Sequence, residues 1–92
     1  MTELTGKQRS VLKSQAQRLE PVVHVGKAGL SEAFMRQVAS LLEARELIKV
    51  RLPAGSGADR RSTAAQIAQA VAAALVGVVG RNAILYRPNE KP

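Results

Sequence analysis

The sequence has 92 residues, which is enough for one compact domain and too few for two. Fourteen Lys and Arg against seven Asp and Glu give a net charge of +7, an excess typical of proteins with a nucleic-acid or other anionic partner. A charge of this size also serves solubility alone. The chain has no Cys, which excludes disulfides and thiolate metal sites, and it starts without a basic stretch followed by an apolar run, so we expect a cytoplasmic protein.

The beginning of the chain predicts a helix followed by a short strand. Thr5 with Gln8 three residues later has the spacing of a capping box, which predicts a helix reaching about Leu19. Pro21 cannot continue the helix, and residues 22–25 then predict a strand. The expected apolar side of the helix consists of Leu4, Val11, Leu12, Ala16 and Leu19.

A second helix and a second strand follow. Ser31 is a good N-cap for a helix that runs to about Ala44. Residues 47–52 alternate, so that Lys49 and Arg51 project from one face and the apolar residues enter the core. The residues expected to be buried here are Phe34, Val38, Leu41, Leu42, Ile48, Val50 and Leu52.

The third helix is predicted to start near Ser62 and to end near Leu75, after a flexible loop of small residues at 53–58. No charged residue occurs from Ser62 to Gly80, a stretch nearly long enough to cross a membrane. However, it is mostly Ala and contains two Gln, and its larger apolar residues form one stripe. We therefore expect a buried amphipathic helix and no membrane partner.

Two more strands are predicted at residues 76–79 and 83–86, joined by a tight hairpin at Gly80-Arg81-Asn82. The order is an N-terminal helix followed by βαβαββ, which predicts an α/β fold with a four-stranded mixed sheet and helices packed on one face. We expect a single domain over residues 1–92, structured from about 4 to 88, with a short tail at 89–92.

Side chains from which an active site could be built are scarce. Hydrolases and transferases need a nucleophile with its base, paired carboxylates or a metal cluster. The single His, His24, stands between two Val in a predicted strand, so a structural role is favoured over catalysis. The acidic residues are scattered without metal-ligand spacing. We therefore expect no enzyme, no cofactor, no metal and no small-molecule substrate, and a small hydrolase is the least favoured alternative.

The loop Gly26-Lys27-Ala28-Gly29 lies between a predicted strand and the start of a helix, where free backbone N–H groups favour an anion. Glycines at both ends allow a close approach of a phosphate, and Lys27 adds a mobile positive charge. KH domains hold a nucleic-acid backbone with a GxxG loop of this kind. Without further context, an ordinary strand-to-helix turn is an equally good interpretation of the four residues.

Basic residues elsewhere could extend this loop into a binding face. Lys49 and Arg51 lie on the solvent side of a predicted strand, in a stretch that is also rich in Arg. The further candidates are Lys7, Lys13, Arg81 and Arg87. Phe34 and Tyr86 are the only aromatic residues, and Tyr86 is expected in the core, so contacts should be to phosphates and RNA shape rather than to stacked bases.

These motifs together resemble the stand-alone bacterial YhbY-type proteins of the CRM (chloroplast RNA splicing and ribosome maturation) domain family. The resemblance is carried by residues 4–9 (LTGKQR), 21–30 (PVVHVGKAGL), 45–50 (RELIKV) and 80–88 (GRNAILYRP), in the family's order, whereas 53–79 match in pattern only. The family's GxxG loop falls on Gly26 to Gly29 and its basic strand on Lys49. The chain departs from strongly basic members in its short, nearly neutral tail.

The resemblance implies a fold akin to the C-terminal domain of bacterial translation initiation factor three. It also implies RNA binding, with ribosomal RNA in precursors of the large (50S) ribosomal subunit as the partner. We expect a monomer. The alternatives are a protein-interaction adaptor whose charge only aids solubility, and a general nucleic-acid-binding protein.

Overall fold

The computed structural model describes residues 4–89 and shows three helices and four strands in that range. The helices are α1 (Gly6–Ala16), α2 (Glu32–Arg45) and α3 (Gly57–Ala70). The strands are β1 (Val23–His24), β2 (Leu47–Arg51), β3 (Ala74–Val79) and β4 (Asn82–Tyr86). They form a sheet of order β1-β2-β4-β3, in which β1 and β2 are parallel and β4 runs antiparallel to both of its neighbours. The predicted element order and mixed four-stranded sheet are confirmed.

The larger core lies between one face of the sheet and helices α2 and α3. Alternate residues of β2 and β4 enter it, as the period-two pattern predicts. Its sheet residues are Ile48, Val50, Leu52, Ala83 and Leu85. Its helix residues are Phe34, Val38, Leu42, Ala64, Ile67 and Ala68. Leu41, which was expected on the same face, packs against this core but is only partly buried.

Helix α1 packs on the opposite face of the sheet, so the prediction that all helices lie on one face is wrong in this detail. Ala16 is fully buried with Val76 and Ile84 in a second, smaller core, against which Leu12 and Tyr86 also pack. The apolar stripe of α1 is narrower than predicted, because Val11 and Leu19 are 49% and 36% exposed. Helix α1 lies on this second face because β4 carries apolar side chains on both faces of the sheet, and those on the face away from α2 and α3 must also be buried.

The capping box predicted for α1 is present. The hydroxyl of Thr5 accepts from the Gln8 amide at 3.1 Å, and the Gln8 side chain accepts from the Thr5 amide at 3.0 Å. The helix ends at Ala16 and not near Leu19. The amides of residues 17–19 bond to carbonyls three residues back, among them Leu19 to Ala16 at 3.0 Å, so the chain tightens and leaves the helix before Pro21.

Helix α3 starts five residues earlier than predicted, at Gly57 rather than Ser62. Ser56 is its N-cap, and its hydroxyl accepts from the Asp59 amide while the Asp59 carboxylate accepts from the Ser56 amide. Ser56, the first residue of this capping box, lies inside the segment 53–58 that was expected to be a flexible loop. The helix also ends earlier, at Ala70, because Ala72 takes a left-handed conformation with φ of 55°.

The residues after Ala72 belong to β3, which starts at Ala74 and not at Val76. The uncharged stretch from Ser62 to Gly80 is therefore part helix and part strand. Over residues 4–89, the structure contains no helix with both the length and the apolar character needed to cross a membrane. The predicted hairpin is present, since Val79 pairs with Asn82 across a two-residue turn in which Gly80 has φ of 60°.

Candidate nucleic-acid interface

The loop Gly26–Gly29 follows β1 and forms a tight turn, in which the Gly29 amide donates to the Gly26 carbonyl at 3.0 Å. Gly29 has φ of 68°, a conformation that L side chains rarely adopt, so the second glycine is required by the backbone. Within residues 4–89, the amides of Gly26, Lys27 and Ala28 donate to no protein acceptor. Three free N–H groups in one exposed turn are donors that an anion can accept from.

The start of α2 contributes less to this site than the sequence suggests. Ser31 accepts from the Phe34 amide at 3.1 Å, so that helical N–H group already has a partner. Glu32 places a carboxylate in the first turn, where it offsets the positive end of the helix dipole. The amides of the turn itself are therefore the main donors to an anion.

Backbone hydrogen bonds tie this loop to two predicted site arginines. The Val25 amide donates to the Arg51 carbonyl at 3.0 Å, and the amide of Leu52, the residue just after β2, donates to the Arg81 carbonyl at 2.6 Å. The end of β1, the end of β2 and the β3–β4 turn consequently meet at one end of the sheet. We call Gly26–Gly29, Arg51 and Arg81 the loop-end surface.

The two arginines of this surface differ in their freedom. Arg81 donates through Nε and Nη2 to the Leu52 carbonyl at 3.2 and 3.1 Å, which fixes its guanidinium while leaving Nη1 as a donor. Arg51 is exposed and makes no side-chain hydrogen bond or ion pair with residues 4–89. It is the register partner of both His24 and Asn82, which places these three side chains in one row on the α1 side of the sheet.

Lys49 and Lys13 also lie on the α1 side of the sheet. Lys49 is half-buried, and its Nζ donates to the Leu19 carbonyl at 2.9 Å, so it holds the segment after α1 against the sheet. Lys13 crosses β3 at Gly77, where an added Cβ would lie 2.5 Å from the Lys13 Cε. Lys13 is exposed on α1, whereas Lys49 lies two residues before Arg51 on the same face of β2 and so adjoins the loop-end surface.

Lys7 and Arg87 lie toward the other end of the sheet. Lys7 lines a groove with Tyr86, whose strand position pairs with Leu47 at the start of β2. Arg87 donates to the carbonyls of Val71 at 2.8 Å and Ala39 at 3.2 Å. It also lies 3.9 Å from the Glu43 carboxylate. The Arg87 guanidinium is thus engaged with α2 and the end of α3.

Two arginines with defined positions in the structure were not among the site residues chosen from the sequence. Arg61 is exposed in the second turn of α3, which starts at the same end of the sheet because α3 follows β2. Arg9 donates to the carbonyls of Leu75 at 2.6 Å and Val76 at 3.1 Å, and so ties α1 to the edge strand β3. If the helix start at Gly57 had been predicted, Arg61 would have been placed near the loop-end surface. The contacts of Arg9 could not be predicted locally, because its acceptors are more than 60 residues away in sequence.

No group of three or more His, Asp or Glu side chains that could hold a metal ion occurs among residues 4–89. His24 is exposed at the edge strand, with Arg51 as its neighbour in the sheet. The arrangement offers donors and positive charge, which are means of binding an anionic polymer.

Comparison with known proteins decides the family. The model of the CRS1 / YhbY (CRM) domain matches residues 4–87. This chain belongs to that family. The resemblance inferred from residues 4–88 of the sequence is thereby confirmed.

Two bacterial relatives and one solved structure match over nearly their whole length. A Bacillus subtilis protein named "Probable RNA-binding protein YqeI" is 36% identical over 88 residues, covering 96% of this chain and 92% of the relative. A Haemophilus influenzae protein named "RNA-binding protein" is 38% identical over 94 residues, covering 99% and 92%. A solved structure from Staphylococcus aureus, described as a candidate RNA binding protein, superposes with a TM-score of 0.85 at 35% identity, covering 97% of this chain and 93% of the other.

Proposed function

We propose that this protein is a non-enzymatic RNA-binding factor that uses the loop-end surface to associate with ribosomal RNA in precursors of the large ribosomal subunit. The observation that carries the proposal is the turn with three unpartnered amides, held by backbone hydrogen bonds beside Arg51 and Arg81. The names of the relatives support RNA as the polymer. The ribosomal partner follows from the resemblance to YhbY-type proteins, and we propose a cytoplasmic monomer.

In this proposal the turn holds one phosphate and the arginines hold its neighbours. A phosphate accepts hydrogen bonds and cannot donate when ionised, so it matches a site made of N–H groups. A Cβ at Gly26 would meet no protein atom within 4 Å, so it would project into the space through which the phosphate approaches. Positive charge at the phosphate comes from Lys27, Arg51 and Arg81. The positive potential continues along the α1 side of the sheet through Lys13 and Lys49.

Salt dependence tests the phosphate mechanism. If Lys27, Arg51 and Arg81 each neutralise one phosphate, the logarithm of the binding constant should fall by about two for each tenfold rise in salt, at roughly 0.7 per phosphate on a single strand. The measurement is fluorescence anisotropy of a labelled RNA hairpin with single-stranded flanks. A binding constant independent of salt would contradict the mechanism.

The loop itself is tested by the double variant Lys27→Asp with Ala28→Asp. Both residues are exposed in the turn, so the fold should persist while two carboxylates repel the phosphate. The matched control is Arg36→Asp with Ser40→Asp, which makes the same change in charge at exposed positions of α2. Weaker RNA binding by the loop variant alone supports the proposal. Equal binding by the two variants would mean that the loop is only a turn.

The ribosomal partner is tested by cosedimentation of the tagged protein on sucrose gradients, with and without ribonuclease. We expect ribonuclease-sensitive migration with free or precursor large subunits, and we expect the loop variant to stay at the top of the gradient. Migration that survives ribonuclease would favour the protein-interaction adaptor, whose contacts do not depend on RNA.

A further inference from the structure

A groove between α1 and the end of β4 is separate from the loop-end surface. It has a volume of about 320 Å³ and is lined by Leu4, Lys7, Gln8, Val11, Leu12 and Tyr86. Its walls are mainly apolar, and Val11 is 49% exposed, which makes it one of three large apolar side chains of residues 4–89 that face solvent. Exposed apolar surface of this kind at a concave site is a feature of ligand contacts.

The chemistry of the groove indicates an aromatic, anionic occupant. Tyr86 is half-buried here, whereas Phe34 is buried in the main core, so Tyr86 is the aromatic ring that a ligand can reach. The lining contains a cation, Lys7, and no acidic residue. The Gln8 Oε1 accepts from the Thr5 amide at 3.0 Å, which leaves the Gln8 Nε2 as a donor.

We propose that this groove takes one unpaired base of the bound RNA, stacked on the Tyr86 ring, with Lys7 beside the adjoining phosphate. Aromatic side chains stack on any base because every base has a π-face, and an apolar wall on the far side completes the slot. The inference rests on the proposed RNA binding and adds a contact to a base where the loop-end surface contacts phosphates. The protein would then require an unpaired nucleotide near the segment held by the loop.

Tyr86 provides its own reporter, because the chain has one Tyr and no Trp. Stacking of a base should quench tyrosine emission at saturation with a single-stranded RNA oligonucleotide, after correction for absorption by the RNA. An oligonucleotide of the same length made of abasic nucleotides keeps the phosphates and should bind without quenching. Anisotropy of the labelled oligonucleotides measures total binding in the same samples.

The test variant is Val11→Glu, which places a carboxylate in the groove at an exposed helical position and leaves the buried side of α1 unchanged. Ser14→Glu is the matched control, since it adds the same charge at an exposed position of the same helix outside the groove lining. We expect Val11→Glu to abolish quenching and to weaken RNA binding about fivefold more than Ser14→Glu does, the lower end of what one stacked base contributes.

The outcomes separate the two proposals. RNA binding with unchanged tyrosine emission, or equal quenching by abasic and normal RNA, would overturn the groove assignment and leave the loop-end surface standing. No RNA binding by the unmodified protein would overturn the proposed function and the groove assignment with it. Tyr86→Ala is the less suitable variant because Tyr86 also packs against the smaller core.

Discussion

Arg87 is hydrogen-bonded within the protein, whereas Arg51 is exposed to solvent. Replacing each by Gln therefore distinguishes an arginine that stabilises the fold from one that binds RNA. Arg87 joins three elements through the Val71 and Ala39 carbonyls, and its side chain is 25% exposed. Arg51 is exposed and without a side-chain partner among residues 4–89. We expect Arg87→Gln to reduce stability and Arg51→Gln to reduce RNA binding.

The magnitude for Arg87 follows from its contacts. Hydrogen bonds from a charged donor each contribute about 1.5–3 kcal/mol, and Gln can retain at most part of one of them. The Glu43 carboxylate is 70% exposed and 3.9 Å away, so this ion pair adds little. The expected loss is about 2–4 kcal/mol, out of the roughly 5–14 kcal/mol typical of a chain of this length. The melting temperature should fall by about 10–25 °C.

The assay is urea and thermal unfolding followed by far-ultraviolet circular dichroism. Arg51→Gln should remain within about 0.5 kcal/mol of the unmodified protein, as is usual at exposed positions. RNA binding is then measured against salt at a temperature where both variants are folded. Arg51→Gln should reduce the salt slope by about 0.7, the contribution of one phosphate, and Arg87→Gln should leave it unchanged.

Two results would refute this reasoning. Unchanged stability of Arg87→Gln would mean that the hydrogen bonds to Val71 and Ala39 contribute little. A reduced salt slope for the folded Arg87→Gln protein would make Arg87 an RNA contact, as the sequence alone suggested.

Two further predictions concern the backbone of the loop and the start of α3. Gly29→Ala should cost about 1–2 kcal/mol because the residue is left-handed, whereas Gly26→Ala should be nearly neutral in thermal unfolding, and equal losses would contradict the assigned turn. Ser56→Ala should cost about 1 kcal/mol through loss of the N-cap. Ser62→Ala should have almost no effect, and the reverse order in urea unfolding would place the helix start where the sequence first suggested it.

Elements with short-range signals were predicted well from the sequence. Thr5 with Gln8 and Ser31 mark helix starts by hydrogen bonds to amides three residues away, so the information is local. The alternation from Leu47 to Arg51 likewise reflects one strand with two different faces. The sequence signal for the start of α3 is equally local, since Ser56 and Asp59 are three residues apart. It was overlooked because the small residues at 53–58 indicated a loop.

The position of α1 could not be predicted from its own pattern, because an amphipathic helix fits either face of a sheet. The relevant signal lies in another element. Residues 83–86 of β4 are apolar without alternation, which is typical of a strand covered on both sides. Which arginines form hydrogen bonds within the protein could not be predicted either. Arg81 and Arg87 donate to carbonyls that are distant in sequence.

The two proposed contacts fit one continuous RNA segment. Tyr86 pairs with Leu47 and Asn82 pairs with Arg51, so the groove and the loop-end surface are separated by the length of β2. Four residue steps at about 3.3 Å put the Tyr86 end of the strand roughly 13 Å from the Arg51 position of the loop-end surface. That distance corresponds to about four stacked nucleotides at a rise of 3.4 Å. A stacked oligonucleotide shorter than this can occupy either contact but not both, so we expect the affinity for stacked single strands to rise with chain length up to about four to five nucleotides.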